Sequence, residues 1–208
     1  TVLKDGDLFR QYYRGDKKPG VHWRTDGWDV YHLGEVTLYA ESRDGVNWTE
    51  PDLGLYQVER YPNGNVVLAD HFLVNHNFSP FIDTRPGVAK DQRYKALGGL
   101  RYPDWAQELR PKYGPGGLKA FVSADAIHWK RLVDEPVIPE SYGKFDSQNV
   151  AFWSEAEGCY VCYFRTMANG LRSISRSTST DFIHWTEPAA SNANAPGEHL
   201  YTSGTHPY

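Results

Sequence analysis

Two acidic residues stand in segments built for recognition rather than for packing. Asp146 lies in Phe145-Asp146-Ser147-Gln148-Asn149 and Glu198 in Glu198-His199-Leu200-Tyr201-Thr202, and a third segment, Asn75-His76-Asn77-Phe78-Ser79-Pro80, has the same make-up. Each mixes hydrogen-bonding side chains with aromatic ones, a combination that suits sugar hydroxyls and sugar ring faces. Two carboxylates converging on such a surface meet the requirement for breaking a glycosidic bond. On this reading Glu198 is the general acid, with a pKa raised by burial, and Asp146 is a base, a nucleophile or a residue that orients and tunes its neighbours. His76, Asn77, Gln148, Asn149 and His199 would hold hydroxyl groups. Arg14 and Arg165, with Arg101 beside them, would suit a carboxylate or sulfate. Plainer roles compete: a strand-start cap for Asp146, an exposed loop acid for Glu198, rim ion pairs for the arginines. His76 is also a metal-ligand type, but no second ligand stands at a suitable spacing.

What positions these residues is legible in a repeat. Ser42-Arg43-Asp44-Gly45-Val46-Asn47-Trp48 returns as Ser123-Ala124-Asp125-Ala126-Ile127-His128-Trp129 and as Ser179-Thr180-Asp181-Phe182-Ile183-His184-Trp185. The shared pattern is Ser-x-Asp-x-(Val/Ile)-(Asn/His)-Trp, and Thr-Glu-Pro follows the first and third copies. An aspartate that recurs once per unit is read as a turn device that accepts hydrogen bonds from the turn's own amides. The tryptophan would cover the core between units.

Around each motif the β-formers cluster into runs. In the first unit these are residues 1–4, 8–13 and 36–41, with a short strand near Trp48; Asp5-Gly6-Asp7 is a hairpin signal. The second unit has runs at 77–82, 93–97, 118–122 and 129–132, and the third at 148–153, 159–164, 171–177 and 184–186. The only helix-like stretch is a turn at 104–109. The prediction is an all-β chain, a β-propeller of four-stranded antiparallel blades, with about three blades and one further strand of an expected five. Blades span roughly residues 1–59, 77–132 and 148–187, and a fourth starts at 200–208.

In such a meander the motif marks one end of every blade. The long connections, residues 15–33, 59–76, 101–117, 133–147 and 188–200, fall at the other, where binding and catalysis concentrate. The three polar and aromatic segments then begin the innermost strands and line the axis.

Composition narrows the function classes. Of 208 residues, 14% are aromatic, with 14 Tyr and 7 Trp against a single Met, which favours strands. The net charge of −4 is spread along the chain, so neither a nucleic-acid footprint nor a polybasic membrane patch is expected. No apolar run is long enough to span a bilayer. Thr1-Val2-Leu3 reads as the middle of a strand, and the last residues read as one just begun, so the chain is expected to be part of something longer. Cys159 and Cys162 form a Cys-x-x-Cys spacing that reads as a redox or metal pair or as two free thiols. In a strand the two face opposite sides, which favours free thiols.

Phe-Arg-Gln-Tyr-Tyr-Arg-Gly, Tyr-Ala-Glu-Ser-Arg-Asp-Gly-Val-Asn-Trp-Thr, Arg-Tyr-Lys-Ala-Leu and Phe-Asp-Ser-Gln-Asn-Val-Ala-Phe-Trp resemble the five-bladed β-propeller glycoside hydrolases of families 32, 43 and 130. The resemblance covers nearly the whole chain. It implies a funnel-shaped axial site with acids from different blades, Asp146 matching the acid that begins an inner strand mid-chain and Glu198 a looser match. It implies a plant or algal poly- or oligosaccharide as substrate and a periplasmic or secreted setting. It calls for no cofactor, with room for a structural divalent cation such as calcium in the axial channel. The Asn-Asp-Pro-Asn-Gly and Arg-Asp-Pro signatures of fructosidases are absent, and the sialidase Asp-box places its Trp one residue later. Two other readings remain: a non-catalytic carbohydrate-binding or scaffold propeller, and an incomplete propeller completed by a second chain or a missing C-terminal part, since open blade edges invite pairing.

Overall fold

The computed structural model describes residues 1–17, 34–69, 71, 73–102, 104–190, 197–201 and 205. Three antiparallel sheets follow one another along the chain. The first runs in the order β1 (Val2–Asp5), β2 (Leu8–Asp16), β3 (Glu35–Ser42), β4 (Val66–Leu68). The second comprises β5 (Ser79–Ile82), β6 (Tyr94–Gly98), β7 (Gly117–Ser123) and β8 (Lys130–Arg131), with β9 (Ile138–Pro139) also pairing β7. The third comprises β10 (Val150–Ser154), β11 (Cys159–Ala168), β12 (Leu171–Ser179) and β13 (Ala189–Ala190). The first strands sit side by side, β5 touching β1 on one flank and β10 on the other, as the inner strands of adjacent blades do.

The hairpins follow from turn chemistry. Asp5 pairs with Leu8 across a two-residue loop whose Gly6 has φ 61°. Ala168 pairs with Leu171 across Asn169-Gly170, both left-handed at φ 52° and 78°, the pattern of an Asn-Gly hairpin. Between Ser154 and Cys159 the four-residue turn closes on Gly158.

All three motif copies fold alike. Ser42 Oγ, Ser123 Oγ and Ser179 Oγ donate to the aspartate two residues on, at 2.9, 3.0 and 3.0 Å. Asp44 Oδ1 accepts the amides of Val46 and Asn47 at 2.8 and 2.7 Å, and Asp125 and Asp181 repeat this with their own turns. The Asn47 amides hold the Asp44 carboxyl well below the usual carboxylate range. Burial opposes this at Asp125 and Asp181, but His128 and His184, through backbone and ring, outweigh it and depress both acids strongly. The fourth motif position is left-handed each time: Gly45, Ala126 and Phe182 have φ 74°, 70° and 70°. Phe182 tolerates it because its fully buried ring packs on Phe81, Tyr160 and Trp185.

Two of the three motif tryptophans, Trp129 and Trp185, cover the seams between sheets. Trp129 of the second sheet meets Tyr12 of the first edge-on at 6.2 Å, and Tyr12 Oη donates to Ala126 O at 2.7 Å. Trp185 of the third sheet packs against a core that joins Phe81, Leu97 and Leu118 to Ala151, Tyr160 and Phe164.

The seams also carry an acid–tyrosine clasp. At the end of β1, Asp5 accepts from Tyr94 at the start of β6 and is ion-paired to Arg93. Just past the end of β5, Asp83 accepts from Tyr160 Oη at 2.6 Å, near the start of β11, and pairs with Lys95 at 2.8 Å. Arg10 and Arg85 reach over the two tyrosine rings at 5.8 and 5.6 Å. Burial, and then the neighbouring Asp83, push the Tyr160 hydroxyl far above its ordinary pKa.

The outermost strands depart from expectation in the first and third sheets. After Trp48 the chain makes a single bridge, Glu41 to Thr49, and the ladder's fourth strand comes only at Val66–Leu68. After the third motif, Ser179 bridges Trp185, and the strand comes at Ala189–Ala190. Pro51 and Pro188 explain both, since proline has no N–H for the ladder. The second copy lacks that proline, and β8 follows its tryptophan at once. The stretch at 104–109 is a 3-10 helix, Asp104–Leu109, running into α1 (Arg110–Tyr113). The predicted connection at 15–33 and the fourth blade at 200–208 lie largely outside the described residues.

Cys159 is partly exposed, Cys162 is buried, and both are free. Burial raises both thiols, Cys162 by far the more, so neither is a ready thiolate.

Candidate functional site

Where the inner strands begin, a cavity of about 1120 Å³ opens. Its wall is drawn from all three sheets. The first supplies Thr1, Tyr12, Tyr13, Arg14 and Thr37; the second supplies residues 75–79 and the Arg101, Tyr102 and Asp104 of its long connection. The approach to β10 gives Lys144, Asp146, Ser147 and Gln148, and the third sheet adds Arg165 and Arg172, with Tyr201 beyond it. Of the residues singled out in the sequence, Arg14, His76, Asn77, Asp146, Gln148, Arg165 and Arg101 all face this space. Asn149, Glu198 and His199 do not line it.

Asp146 is held by its own loop. Phe145 has φ 59°, a conformation unfavourable for a residue with a Cβ, and its ring is fully buried against Phe164 at 5.1 Å. Its carbonyl accepts from the side-chain amides of Asn77 and Asn149. Asn77 also exchanges two 2.9 Å bonds with the backbone of Gly99. Asn77 and the buried Asn149 thus brace the loop and leave Asp146 turned toward the cavity. Its Oδ1 lies 3.0 Å from Arg165 Nη1. Arg165 in turn donates to the Tyr201 carbonyl, and its guanidinium lies 4.6 Å from the Tyr201 ring centre.

On the opposite wall Arg14, His76 and Glu35 form a cluster. Glu35 Oε1 is 3.0 Å from His76 Nδ1 and 3.5 Å from Arg14 Nη1, and Arg14 Nη1 is 2.7 Å from His76 Nδ1. The Glu35 side chain has no exposed surface, so a buried carboxylate holds Arg14 and His76 from behind. Asn75 ties the cluster down, donating to Glu35 O at 3.0 Å and accepting from Thr37 Oγ1 at 2.9 Å. Sequence reasoning missed Glu35. Its signal was an acid at the start of a strand, directly before the run Val-Thr-Leu-Tyr-Ala.

The other expected acid is placed differently. Glu198 and His199 are exposed, in a segment that folds back on the start of β12. Leu200 N donates to Arg172 O at 2.9 Å, and Arg172 N donates to His199 Nδ1 at 2.9 Å. His199 is therefore a clamp on that segment, and the side chain the segment delivers to the cavity is Tyr201. The second carboxylate among the lining residues is Asp104, at the start of the 3-10 helix. Among the described residues no group of three or more His, Cys, Asp or Glu side chains is arranged to hold a metal.

No family model matches the chain, and no curated protein matches it. Solved structures do. One described as a glycoside hydrolase aligns over 96% of this chain and 58% of its own, with a TM-score of 0.58 and 16% identity. A β-fructofuranosidase from Schwanniomyces occidentalis, complexed with fructosyl-erythritol, aligns over 91% of this chain and 33% of its own at a TM-score of 0.55 and 15% identity. The family 32 β-fructofuranosidase BmSUC1 of Bombyx mori aligns over 92% and 35%, at 0.54 and 12%. The chain thus spans between 33% and 58% of the length of these proteins. At such identities the likeness is one of fold: three consecutive blades of the propeller on which families such as 32 and 43 of the glycoside hydrolases are built.

Proposed function

We propose that the chain forms the saccharide-binding and catalytic part of a glycoside hydrolase acting on a plant or algal poly- or oligosaccharide, with Asp146 as a carboxylate at the reacting centre. The observation that carries this is the placement of Asp146. It opens onto an axial cavity, on a loop braced by Asn77 and Asn149, and is paired with Arg165. A carboxylate paired with a guanidinium at the cavity wall suits a base, a nucleophile or a group that stabilises positive charge building on the sugar ring. Arg14, His76 and Gln148 stand where they would bind hydroxyls. The proton donor is assigned between Glu198 and Asp104, the latter favoured by its place in the wall.

The test is release of 4-nitrophenol from a panel of aryl glycosides. Asp146→Asn is expected to lower kcat at least ~100-fold. Loss of a similar size in Asp104→Asn, with Glu198→Gln unaffected, assigns the acid; the reverse result restores Glu198. An Asp146→Asn protein as active as wild type sinks the assignment.

A second reading has its own support. Among the described residues only Asp146 and Asp104 of the acids line the cavity, and Asp146 is already ion-paired. A propeller that binds saccharide without cleaving it fits those facts, and is favoured if the panel is bound but no member is hydrolysed.

A further inference from the structure

Among the described residues, the charge of the cavity wall is opposite in sign to that of the whole chain. Among the described residues five cations line it, Arg14, Arg101, Lys144, Arg165 and Arg172, against two acids, Asp104 and Asp146, while the chain carries a net −4. Counting the buried Glu35 behind Arg14 still leaves cations in excess. A neutral sugar gives no reason to gather them, because like charges in a concave, partly dry wall repel one another and are costly to desolvate.

We propose that the cavity takes a saccharide bearing an oxyanion, either the carboxylate of a uronic acid or a sulfate ester. This rests on the carbohydrate reading above and narrows it to a substrate class.

Three relationships place the anion. Arg101 N donates to Lys144 O at 3.4 Å and Lys144 N donates to Arg165 O at 3.0 Å, so three cationic residues run side by side along one wall. No carboxylate among the described residues lies within ion-pair distance of Arg101 or Lys144, and both are exposed to the cavity. At the end of that row, the guanidinium groups of Arg165 and Arg172 stand 4.6 and 5.1 Å from the centre of one ring, that of Tyr201. Arg165 is only 3% exposed, and its buried Nε has no hydrogen-bond partner. The Arg172 guanidinium at the Tyr201 ring, beside two cations with no carboxylate of their own and backed by the Asp146-paired Arg165, forms a receptor for a planar or tetrahedral oxyanion, which a guanidinium fork binds in bidentate fashion. The low-dielectric walls concentrate the field of these charges at the cavity mouth.

Calorimetric titration tests this with galacturonate and glucuronate oligosaccharides in one arm and sulfated galactose oligosaccharides in the other, each beside its neutral counterpart. At least one acidic saccharide is expected to bind about tenfold or more tightly than its counterpart, with the gap narrowing as salt rises from about 50 to 300 mM. The arm that shows the gap identifies carboxylate or sulfate. The Arg101→Gln/Lys144→Gln double variant, whose substituted groups are exposed and whose folding is checked by its thermal melt, is expected to shrink the gap to less than about threefold. Equal binding of acidic and neutral saccharides, an undiminished gap in the double variant, or no binding in either arm overturns the proposal. Hydrolysis is read separately from the matching aryl glycosides. Tight binding of an acidic saccharide without hydrolysis keeps this inference and removes the enzyme, whereas hydrolysis of neutral glycosides without any acidic preference does the opposite.

Discussion

Arg165 Nη1 and Asp146 Oδ1 lie 3.0 Å apart, yet the arginine side chain is 3% exposed and the aspartate 54%. The pair joins the inside of the third blade to the open cavity, and its two ends respond differently to substitution.

Asp146→Asn removes the charge at the exposed end and keeps the shape. Arg165 retains the Tyr201 carbonyl and the Tyr201 ring. The stability cost is therefore expected to be about 1–2 kcal/mol, below the cost of stripping a fully buried pair. Arg165→Met acts from the buried end. It releases both Asp146 and Tyr201, so it is expected to weaken saccharide binding as well as turnover, raising KM along with lowering kcat. A thermal melt together with steady-state kinetics of both variants checks this; an Arg165→Met protein with wild-type KM argues against a role in shaping the cavity.

Asn77 is a positioning residue. Its side chain joins Gly99 to the carbonyl of the left-handed Phe145 and so reaches Asp146 only through the loop. Asn77→Ala leaves a buried carbonyl and a buried amide without their partner, at a cost of about 1–3 kcal/mol. The specific signature is hydrogen exchange. Amides of residues 145–149 are expected to lose protection while those of β6 and β7 keep theirs. Uniform loss across the chain would mark Asn77 as a general stability residue instead.

The blade pattern was legible in the sequence because turn chemistry is local. Ser42, Asp44 and Trp48 and their two repeats need only seven residues to fold, and every one of their hydrogen bonds closes within the motif or its adjoining strand. The outer strands of the first and third sheets shrink to single bridges beside the motif because Pro51 and Pro188 lack the N–H that would extend the ladder. The cavity residues that start the inner strands were legible from topology alone. Glu35 and Tyr201 were not, since one reaches the cavity from behind another side chain and the other is delivered by a backbone clamp on Arg172 and His199. Neither relationship has any fixed spacing in the chain.

The second seam holds Lys95 and Asp83 with 1% and 0% of their side chains exposed, and Tyr160 donates to the same acid. Lys95→Met leaves a buried carboxylate with only the Tyr160 hydroxyl and the Arg85 amide, and Asp83→Asn leaves a buried ammonium; either is expected to cost about 3–5 kcal/mol. The double replacement is expected to cost less than the two single ones together, because each orphaned charge is then gone. A double-mutant cycle by urea denaturation gives the coupling. Strict additivity would show that the pair contributes nothing specific to the seam.

The first seam is pH-dependent in a defined sense. Arg93 foremost, opposed by burial and helped by Tyr94, lowers the Asp5 carboxyl to about 2. An unfolded aspartate titrates near ~4. The folded state thus holds the proton less tightly, and Asp5 contributes its stability in full above about pH 5 and loses it as the pH falls through 4 toward about 2. Arg93 is 46% exposed, which screens the pair, so the contribution is set at about 1 kcal/mol rather than at the full value of the shift. Asp5→Asn is accordingly expected to melt below wild type at pH 7 and to approach it by pH 2.5. Both proteins will lose stability over this range, since Asp44, Asp125 and Asp181 are depressed as well. The informative quantity is the difference between the two melts, and a difference that stays constant from pH 7 to 2.5 would show that the charge of Asp5 does not clasp the blades.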